Sequence, residues 1–557
     1  MARRRNEAIR ALRRRSAPQD GARRTGARRR LVVWSLQIRD TTEPERRGVS
    51  REPSEQWLNA NVATLLWRVA ASDPMAPAVV ERDQTATYGA VAGRAAAVAA
   101  ALTAAGAGPD RPVAILLERG ADAVAAFFGV LAAGGIAVVL NETLRPRQIE
   151  HILAHTGSRH LVTSADLLAR QPRPIGGDCA VVDVAILPAA AAAALTPLLR
   201  CESDVAQIIH TSGSTGLPKG VAVSHGNLRA AVRSVVSYLG ITRTDRVASL
   251  LPLSFVYGMS QVLCAVRAGA TLVVERSPLP QQVAATLAAE RVTVVAAVPP
   301  LWLRLLDKTV FRTTPLPHVR VLTNAGGHLP VHAVRALRQA QPGAQLFLMY
   351  GLTEVLRSTY LPPAEVDRRP DSIGQPIPGA EVLVMREDGT EAATGEIGEL
   401  VHRGPTVTLG YWNDPERTAE VFRPHPLRPP GAPDRERVVF SGDLVKRDAD
   451  GFLYYVGRRD RVMKVMGVRV GPDEIADALF ASGEVTEAAV VGEPDEQWGT
   501  RIVAHVVLGP AGSRERLQVY CARELPRHLQ PARIEVRDAL PLLPSGKSDL
   551  AALREGR

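Results

Sequence analysis

After an N-terminal segment, stretches with helical periodicity alternate with short runs of β-branched residues. The stretch 90–105 is rich in alanine and has a helical pattern, 113–117 has the pattern of a buried strand, and 122–133 is again helical. A Gly-Gly pair ends that helix before another predicted strand at 136–140, and the alternation recurs over 205–298. Because parallel strands need crossover helices between them, this order predicts an α/β fold with two doubly wound subdomains.

The second half of the chain has a different pattern. Residues 373–457 contain many short strand-like runs separated by glycine and proline, which predicts a small β-barrel. After residue 458 the pattern becomes α+β, and we place a domain boundary at Asp460. The predicted organisation is therefore a large N-terminal domain over 56–459, which includes the barrel, and a small, mobile C-terminal domain over 460–557.

The formal net charge of +11 is concentrated at the N-terminus. Twelve arginines against Glu7 and Asp20 give the first 30 residues a charge of +10, which leaves +1 for the other 527. An arginine-rich segment with so few apolar residues cannot bury a core, so we expect residues 1–55 to form a disordered arm. Two interpretations are open, a tether to nucleic acid or a membrane and a tail without a role. The second is favoured, because the basic charge does not belong to the folded body.

The sequence lacks the features of a membrane-spanning protein and of a zinc-binding protein. No apolar stretch reaches the length of about 18 residues that a bilayer span needs. The four cysteines are scattered and form no CxxC pair, which argues against a zinc site and fits a reducing compartment. We therefore expect a cytoplasmic protein without a membrane span and without a nucleic-acid partner.

The strongest chemical signal is the segment TSGSTGLPKG at 211–220, directly after an apolar run at 205–209. Its glycines let backbone N–H groups approach a ligand closely, and its hydroxyls and one lysine add further donors. Such an array suits a polyphosphate, although its spacing is not that of the GxxxxGK[ST] P-loop. The candidate phosphate-binding residues are Thr211, Ser212, Gly213, Ser214, Thr215, Gly216 and Lys219.

Two further motifs contain groups suited to a nucleotide. In YGLTE at 350–354, Tyr350 offers a flat face for a purine, Thr353 a hydroxyl for phosphate, and Glu354 a hard oxygen ligand for Mg²⁺. Upstream, NAGG at 324–327 offers small residues against which a planar ligand can pack. The candidate residues of these motifs are Ala325, Gly326, Gly327, Tyr350, Gly351 and Thr353, with Glu354 as the metal ligand.

Together these motifs resemble those of the adenylate-forming, or AMP-binding, superfamily. That superfamily includes acyl-CoA synthetases, firefly luciferase and the adenylation domains of nonribosomal peptide synthetases. The resemblance covers about residues 61–550, in the same order along the chain. It extends to SGD at 441–443, to the long match GRRDRVMKVMGVRV at 457–470, and to PSGK at 544–547.

The resemblance implies roles for residues in these later motifs. Asp443 would accept hydrogen bonds from the ribose hydroxyls, and Arg458 would approach the ribose or the α-phosphate. Asp460 would be the hinge between the domains, and Lys547 would reach the α-phosphate and the substrate carboxylate, where negative charge develops. The predicted catalytic set is Lys547, Glu354 and Thr211.

The segment LPLSFVYG at 251–258 resembles the part of the family that lies beside the acyl group. Phe255 stands where many acyl- and aryl-CoA ligases carry His and many amino-acid activators carry Phe. Val256 stands where α-amino-acid activators usually have Asp to pair with the ammonium. Because a buried ammonium without a carboxylate is unfavourable, an aryl or aliphatic acid is favoured. The predicted substrate pocket comprises Phe255, Val256, Tyr257, Gly258 and Gly326.

The predicted function is an ATP-dependent acid–thiol ligase that uses Mg²⁺. It would form an acyl-adenylate with release of pyrophosphate, and then transfer the acyl group to coenzyme A or to the phosphopantetheine of a separate carrier protein. Three alternatives are open: a stand-alone amino-acid-activating enzyme, a luciferase-like oxidising member, and a noncatalytic nucleotide-binding protein with a nucleic-acid-binding arm. The presence of Lys547, Glu354 and Asp443 argues against the last, because a noncatalytic protein could lose them.

Overall fold

The computed structural model describes residues 59–82, 84–171, 174–188, 195–211, 218–307, 310–429, 431, 436–459, 463–465, 468–495, 499–543 and 548–555. The predicted arm at 1–55 lies outside these residues, as do residues 212–216, Asp460 and Lys547. Within the described ranges, no helix is long and apolar enough to cross a membrane.

Helices and strands alternate through most of the described chain. The helices are α1 (Thr64–Ser72), α2 (Tyr88–Ala104), α3 (Ala121–Ala132), α4 (Pro146–Thr156), α5 (Ala165–Ala169), α6 (His225–Leu239), α7 (Val256–Ala268), α8 (Pro280–Ala289), α9 (Pro299–Asp307), α10 (Val310–Thr313), α11 (Val331–Ala340), α12 (Pro415–Val421), α13 (Pro472–Ala481), α14 (Arg514–Glu524) and α15 (Leu550–Arg554). The strands are β1 (Pro77–Glu81), β2 (Gln84–Thr87), β3 (Pro112–Ile115), β4 (Ile136–Val139), β5 (His160–Thr163), β6 (Ala180–Asp183), β7 (Val205–Thr211), β8 (Lys219–Ser224), β9 (Arg246–Ser249), β10 (Thr271–Val274), β11 (Val294–Ala297), β12 (Val321–Asn324), β13 (Gln345–Tyr350), β14 (Thr359–Leu361), β15 (Ser372–Pro376), β16 (Glu381–Met385), β17 (Ile397–Arg403), β18 (Gly410–Tyr411), β19 (Phe422–Pro424), β20 (Arg437–Arg447), β21 (Leu453–Arg458), β22 (Met463–Val465), β23 (Val468–Val470), β24 (Val485–Asp495), β25 (Gly499–Leu508) and β26 (Arg533–Val536).

Two sheets with parallel cores form the large N-terminal domain. In the larger sheet, β1, β10, β9, β11, β12 and β13 are neighbours in that order and run parallel. In the second sheet, β7, β4, β3, β5 and β6 are parallel, and β8 pairs antiparallel with β7. Every residue of β10, β11 and β12 is buried, as strands covered by helices on both faces require. The predicted pair of doubly wound subdomains is confirmed.

The region predicted as a small β-barrel is built from short antiparallel strands. Strands β15, β16, β17, β20 and β21 pair antiparallel with one another. β15 also pairs with β14, and β14 with β13, so the antiparallel strands continue the larger sheet. In the described pairings the region is an extension of that sheet, because β15 is bonded on both sides, to β21 and to β14.

The smaller C-terminal domain is α+β, as predicted. Its sheet has the order β24-β25-β26, and helices α13 and α14 pack on it. Ile475, Leu479, Ile502 and Leu517 lie at the centre of its own hydrophobic core. The predicted boundary at Asp460 stays a prediction.

Candidate functional site

Two neighbouring parallel strands of the larger sheet end at the same edge. β12 ends at Asn324, which the predicted segment Ala325, Gly326 and Gly327 follows, and β13 ends at Tyr350. Gly326 has a φ of 82°, a conformation that favours glycine. In open α/β sheets, ligands bind outside the carboxyl ends of the strands. The fold therefore brings two separately predicted segments to the edge where a ligand is expected.

A tyrosine, an aspartate and an arginine meet beside this edge. The Tyr350 hydroxyl donates a hydrogen bond to Asp443, and Arg458 Nη1 lies 3.3 Å from Asp443 Oδ1. Asp443 and Arg458 are direct cross-strand partners in β20 and β21, so the sheet register sets their proximity. Gly442, with a φ of 72°, lies against the guanidinium of Arg458. Three of the predicted nucleotide-binding residues therefore form one hydrogen-bonded cluster.

Aromatic side chains surround the Tyr350 ring. The imidazole of His402 stacks on it with a centroid distance of 6.0 Å, and Tyr455 lies 6.4 Å away. Burial, together with the charge and hydrogen bond of Asp443, raises the pKa of Tyr350 well above its usual value. Burial lowers the pKa of His402 to about 3, and its Nδ1 lies 2.6 Å from the Ser358 hydroxyl. Near neutral pH both rings are therefore uncharged, and Tyr350 is a donor to the carboxylate.

Glu354 is held in a short 3₁₀ turn, Thr353–Val355, directly after the strand-end motif. The Tyr411 hydroxyl donates to Glu354 Oε1 at 2.6 Å, and the backbone N–H and hydroxyl of Thr408 both donate to the Glu354 carbonyl at 2.9 Å. Burial and the Glu354 charge raise the pKa of Tyr411. The turn is therefore anchored at backbone and side chain, and the carboxylate has a fixed orientation.

The two ends of the predicted phosphate segment are paired. Thr211 ends β7, Lys219 begins β8, and the two residues are cross-strand partners. Lys219 Nζ is buried and has no hydrogen-bond partner among the residues that the structure describes. Burial lowers its pKa, and the charge of Arg417 acts in the same direction against the opposing charges of Asp414 and Glu354. An unpartnered buried ammonium near Glu354 suits an anionic ligand.

A small cavity of about 30 Å³ lies beside the predicted substrate segment. Its walls come from β7, α6, α7 and the turn after Glu354, and of the predicted pocket residues Val256 lines it. Tyr257 is buried, and its hydroxyl lies 2.6 Å from Thr323 Oγ1, at the end of β12. A side chain at Gly258 would place its Cβ 2.0 Å from the Pro252 carbonyl, so that close approach requires glycine. Phe255, the N-cap of α7, is half-buried.

The structure adds residues that motif reasoning missed. Arg357 and Gln207 both line the cavity, and Arg417 lies over the Tyr411 ring at 5.6 Å. Gly351 packs against Arg357, because a Cβ on Gly351 would lie 3.1 Å from the Arg357 Cα. The sequence contains one signal for Arg357, namely a charged residue three positions after Glu354 in an otherwise buried segment. It contains none for Gln207.

The edge also contacts the C-terminal domain. His328, which directly follows the predicted glycine pair, lies 2.9 Å through Nε2 from Asp477 of α13. Burial lowers the pKa of His328, but the hydrogen bond to Asp477 and the charges of Asp477, Asp473 and Asp371 outweigh it and raise the pKa. Helix α13 therefore lies next to the segment predicted to bind adenine.

Known proteins are similar to this chain in sequence. The sequence model of the AMP-binding enzyme family matches residues 66–412, and that of the AMP-binding enzyme C-terminal domain matches 474–547. Novobiocin biosynthesis protein H of Streptomyces niveus is 33% identical over 89% of this chain and 82% of its own length. Bacitracin synthase 3 of Bacillus licheniformis is 31% identical over 87% of this chain, which spans only 7% of that synthase.

A solved structure is also similar. O-succinylbenzoate coenzyme A synthetase of Bacillus subtilis, in complex with ATP and a magnesium ion, is 28% identical with a TM-score of 0.76. The match covers 87% of this chain and 98% of that one. The chain therefore belongs to the AMP-binding enzyme family, the adenylate-forming superfamily that its motifs resemble.

Proposed function

We propose that the chain is an ATP- and Mg²⁺-dependent acid–thiol ligase that forms an acyl-adenylate and transfers the acyl group to a phosphopantetheine thiol. The observation that carries the proposal is the convergence at one sheet edge of the Tyr350–Asp443–Arg458 cluster, the anchored Glu354 and an adjacent cavity. The related synthetase complex with ATP and magnesium supports it.

The polar groups at this edge fit a magnesium-bound nucleotide. Lys219 Nζ and Asn324 Oδ1 are both buried without a hydrogen-bond partner among the described residues, one a cation and the other an acceptor. Polyphosphate oxygens would satisfy the first, and an adenine amino group the second. Glu354 would hold Mg²⁺, which supplies positive charge to the phosphates when bound. Ala325, Gly326 and Gly327 would lie along the adenine, and Gly351 and Thr353 would approach the phosphates.

In the first half-reaction, a carboxylate oxygen of the acid forms a bond to the α-phosphorus of ATP. The bond from that phosphorus to the bridging oxygen breaks, and pyrophosphate leaves with the electron pair. Catalysis of such a step consists mainly of positioning and charge neutralisation. We assign the β- and γ-phosphates to Thr211, residues 212–216 and Lys219, the ribose to Asp443 and Arg458, and the α-phosphate and carboxylate to Lys547.

In the second half-reaction, a thiolate sulfur attacks the acyl carbonyl and AMP leaves. Lys547 and the thiol would compete for the same face of the adenylate. We therefore propose that the domain over 460–557 turns about Asp460 relative to the domain over 56–459 between the two steps.

The cavity favours an acid without an ammonium group. The described lining contains no Asp or Glu, and Val256 occupies the position expected for the partner of an α-ammonium. A buried ammonium would be left without a counter-charge, and it would lie near Arg357. An aryl or aliphatic acid therefore fits better than an α-amino acid.

Pyrophosphate release tests the proposal. The full chain with ATP and Mg²⁺ is assayed against aryl, aliphatic and amino acids, and the acylated product is then sought with coenzyme A and with a phosphopantetheinylated carrier protein. We expect acid-dependent release of pyrophosphate and an acyl-thioester with one of the two acceptors. Nucleotide binding without release for any acid would favour the noncatalytic alternative, and turnover with α-amino acids alone would overturn the interpretation of Val256.

A further inference from the structure

One buried arginine in the cavity has no counter-charge among the residues that the structure describes. Arg357 is 4% exposed, its Nε has no hydrogen-bond partner, and it makes no ion pair with any described residue. Its guanidinium lies 5.0 Å from the centre of the Tyr257 ring, which supplies only a weak cation–π contact. Because a guanidinium stays charged at any physiological pH, burial without an anion is unfavourable.

The backbone directs this arginine to the cavity. Leu356 has a φ of 56° and a ψ of −56°, a conformation that a bulky residue rarely adopts, and both Leu356 and Arg357 line the cavity. Such a backbone persists only where the surrounding structure enforces it, and it clusters at ligand sites. Gly351 packs closely against the Arg357 backbone, since a Cβ on Gly351 would lie 3.1 Å from the Arg357 Cα, and this packing restrains the turn.

A second unsatisfied polar side chain faces the same space. Gln207 on β7 is 1% exposed, its Oε1 has no hydrogen-bond partner among the described residues, and it lines the cavity with Arg357. The hydroxyl of Ser260, also in the lining, is already bonded to the Tyr257 carbonyl at 3.0 Å. The other walls, from α6 and α7, are apolar. The cavity is therefore an apolar space with one unpaired cation and one unpaired amide.

The cavity lies between the two segments that flank the reacting phosphates. Ile209 of its lining is two residues before Thr211, and Leu356 is two residues after Glu354. An acid whose carboxyl group lies at that edge would extend its far end into the cavity. Its far end would then meet Arg357 and Gln207.

We propose that the acid activated by this chain carries a second carboxylate, which pairs with Arg357 and Gln207 at the end of the cavity. This inference rests on the proposed function. A carboxylate matches the guanidinium in charge and in bidentate geometry, and the Gln207 amide can turn its NH₂ group toward it. A neutral hydroxyl would leave the positive charge uncompensated, and an ammonium would add a second one. The small volume of the cavity admits only a compact distal group, so small aromatic and short aliphatic dicarboxylic acids are the candidates.

Matched pairs of acids test the inference in the full chain. Terephthalate is compared with 4-methylbenzoate, and adipate with hexanoate, because each pair differs in the distal group. Acid-dependent pyrophosphate release gives kcat/KM for each. We expect the dicarboxylate of at least one pair to be preferred by about 100-fold or more, as for sites built to bind a specific polar group.

Two variants identify the residue responsible. Arg357→Met keeps an unbranched apolar stem but removes the charged end, so we expect it to abolish the dicarboxylate preference while the monoacid is still activated. Arg357→Lys keeps the charge and loses the bidentate geometry, so it should retain an intermediate preference. Retained monoacid turnover shows that the Met variant is folded.

The outcomes separate this inference from the proposed function. Preference for the monoacid in both pairs of the wild-type enzyme, or a dicarboxylate preference unchanged in Arg357→Met, would overturn the role of Arg357 and leave the ligase intact. If Arg357→Met does not fold, the wild-type pairs decide alone. Absence of pyrophosphate release with every acid would count against the ligase itself.

Discussion

Two arginines in this molecule have the same burial and opposite surroundings. Arg369 is 7% exposed, lies 4.3 Å over the Phe452 ring, and pairs with Glu365, Asp448 and Asp450. Arg357 is 4% exposed and also lies over an aromatic ring, but it has no carboxylate partner among the described residues. The first arginine is satisfied by its own protein and joins the β-rich region to the larger sheet. The second lacks what a ligand would supply.

The other polar groups of the site can be divided in the same way, into those with protein partners and those that lack them. A cation or carboxylate whose partners are all protein groups should affect stability when it is replaced. A group held ready for a ligand should affect turnover instead. The following substitutions test whether the polar groups divide in this way.

The largest effect is expected at Lys547, which we propose to contact the reacting groups. Lys547→Ala should lower acid-dependent pyrophosphate release by about 10²- to 10³-fold, the usual loss when one group that stabilises developing charge is removed. Lys446 provides the control, since it lies 6.0 Å from the Tyr454 ring and has no predicted role in the site. Lys446→Ala should keep full turnover; equal turnover in the two variants would contradict the assignment of Lys547.

The next largest effect is expected at Asp443, which can be compared with Asp448 because each aspartate contacts a tyrosine and an arginine in the same sheet. Asp443 accepts from Tyr350 and pairs with Arg458, whereas Asp448 accepts from Tyr454 at 3.0 Å and pairs with Arg369. Asp443→Ala should lower kcat/KM for ATP by about 100-fold, because the ribose loses its acceptor and Tyr350 and Arg458 lose the carboxylate that they contact. Asp448→Ala should change thermal stability and leave kcat/KM for ATP unchanged. Similar ATP kinetics in both variants would remove Asp443 from the nucleotide site.

A smaller effect, with a pH signature, is expected at Lys219. Lys219→Met should lower kcat/KM for ATP by about tenfold through the lost hydrogen bond to phosphate. Because the pKa of Lys219 is lowered by burial, wild-type kcat/KM should fall at high pH as the ammonium loses its proton. Lys219→Arg should move that fall to higher pH, since a guanidinium stays charged. If kcat/KM falls at the same high pH in Lys219→Arg as in the wild type, the fall is caused by the titration of another group.

Arg369 should show the reverse behaviour. Arg369→Met leaves Glu365, Asp448 and Asp450 without their shared cation, so we expect the midpoint of thermal unfolding to fall by about 5 °C. The kcat/KM values for acid and ATP should stay within about twofold of wild type. Loss of turnover without a change in the midpoint of thermal unfolding would contradict the structural role assigned to Arg369.

The smallest effect is expected at the His328–Asp477 contact. The raised pKa of His328 means that the charged imidazole is stabilised, so this contribution to stability is full below the ordinary pKa and is lost as pH rises through the raised pKa. Thermal unfolding of Asp477→Asn between pH 5.5 and 8.5 should lose about 1 kcal/mol of pH-dependent stability. His332, which contacts the Phe480 ring and has a lowered pKa, is the matched control. His332→Gln should leave the loss of stability with rising pH in place, because the lowered pKa of His332 contributes the opposite pH dependence.

Local sequence patterns were sufficient to predict that the motifs follow the ends of strands. The apolar run before YGLTE predicts a strand, and β13 ends at Tyr350, where the motif begins. The two doubly wound subdomains follow from the same alternation of strand and helix periods. These features depend on residues close in sequence, so periodicity and glycine positions indicate them directly.

Pairings between distant residues could not be predicted in this way. Tyr411 and Glu354 are 57 positions apart, and the hydrogen bond between them depends on how β18 adds to β8. Asp443 and Arg458 face each other only because of the register of β20 and β21, which includes a shift between Leu444 and Val445. Closure of the predicted barrel depends on such pairings as well, since short strands indicate pairing but not whether the last strand returns to the first.

The close packing of Gly351 on Arg357 has a consequence for redesign. The residues proposed to handle phosphate and the residue proposed to read the acid belong to one turn, in which a Cβ on Gly351 would lie 3.1 Å from the Arg357 Cα. Any exchange of acid selectivity should therefore keep glycine at position 351, because a side chain there would crowd the backbone of residue 357. The side chain at position 357 can then be replaced while the backbone that follows the phosphate-handling motif is kept.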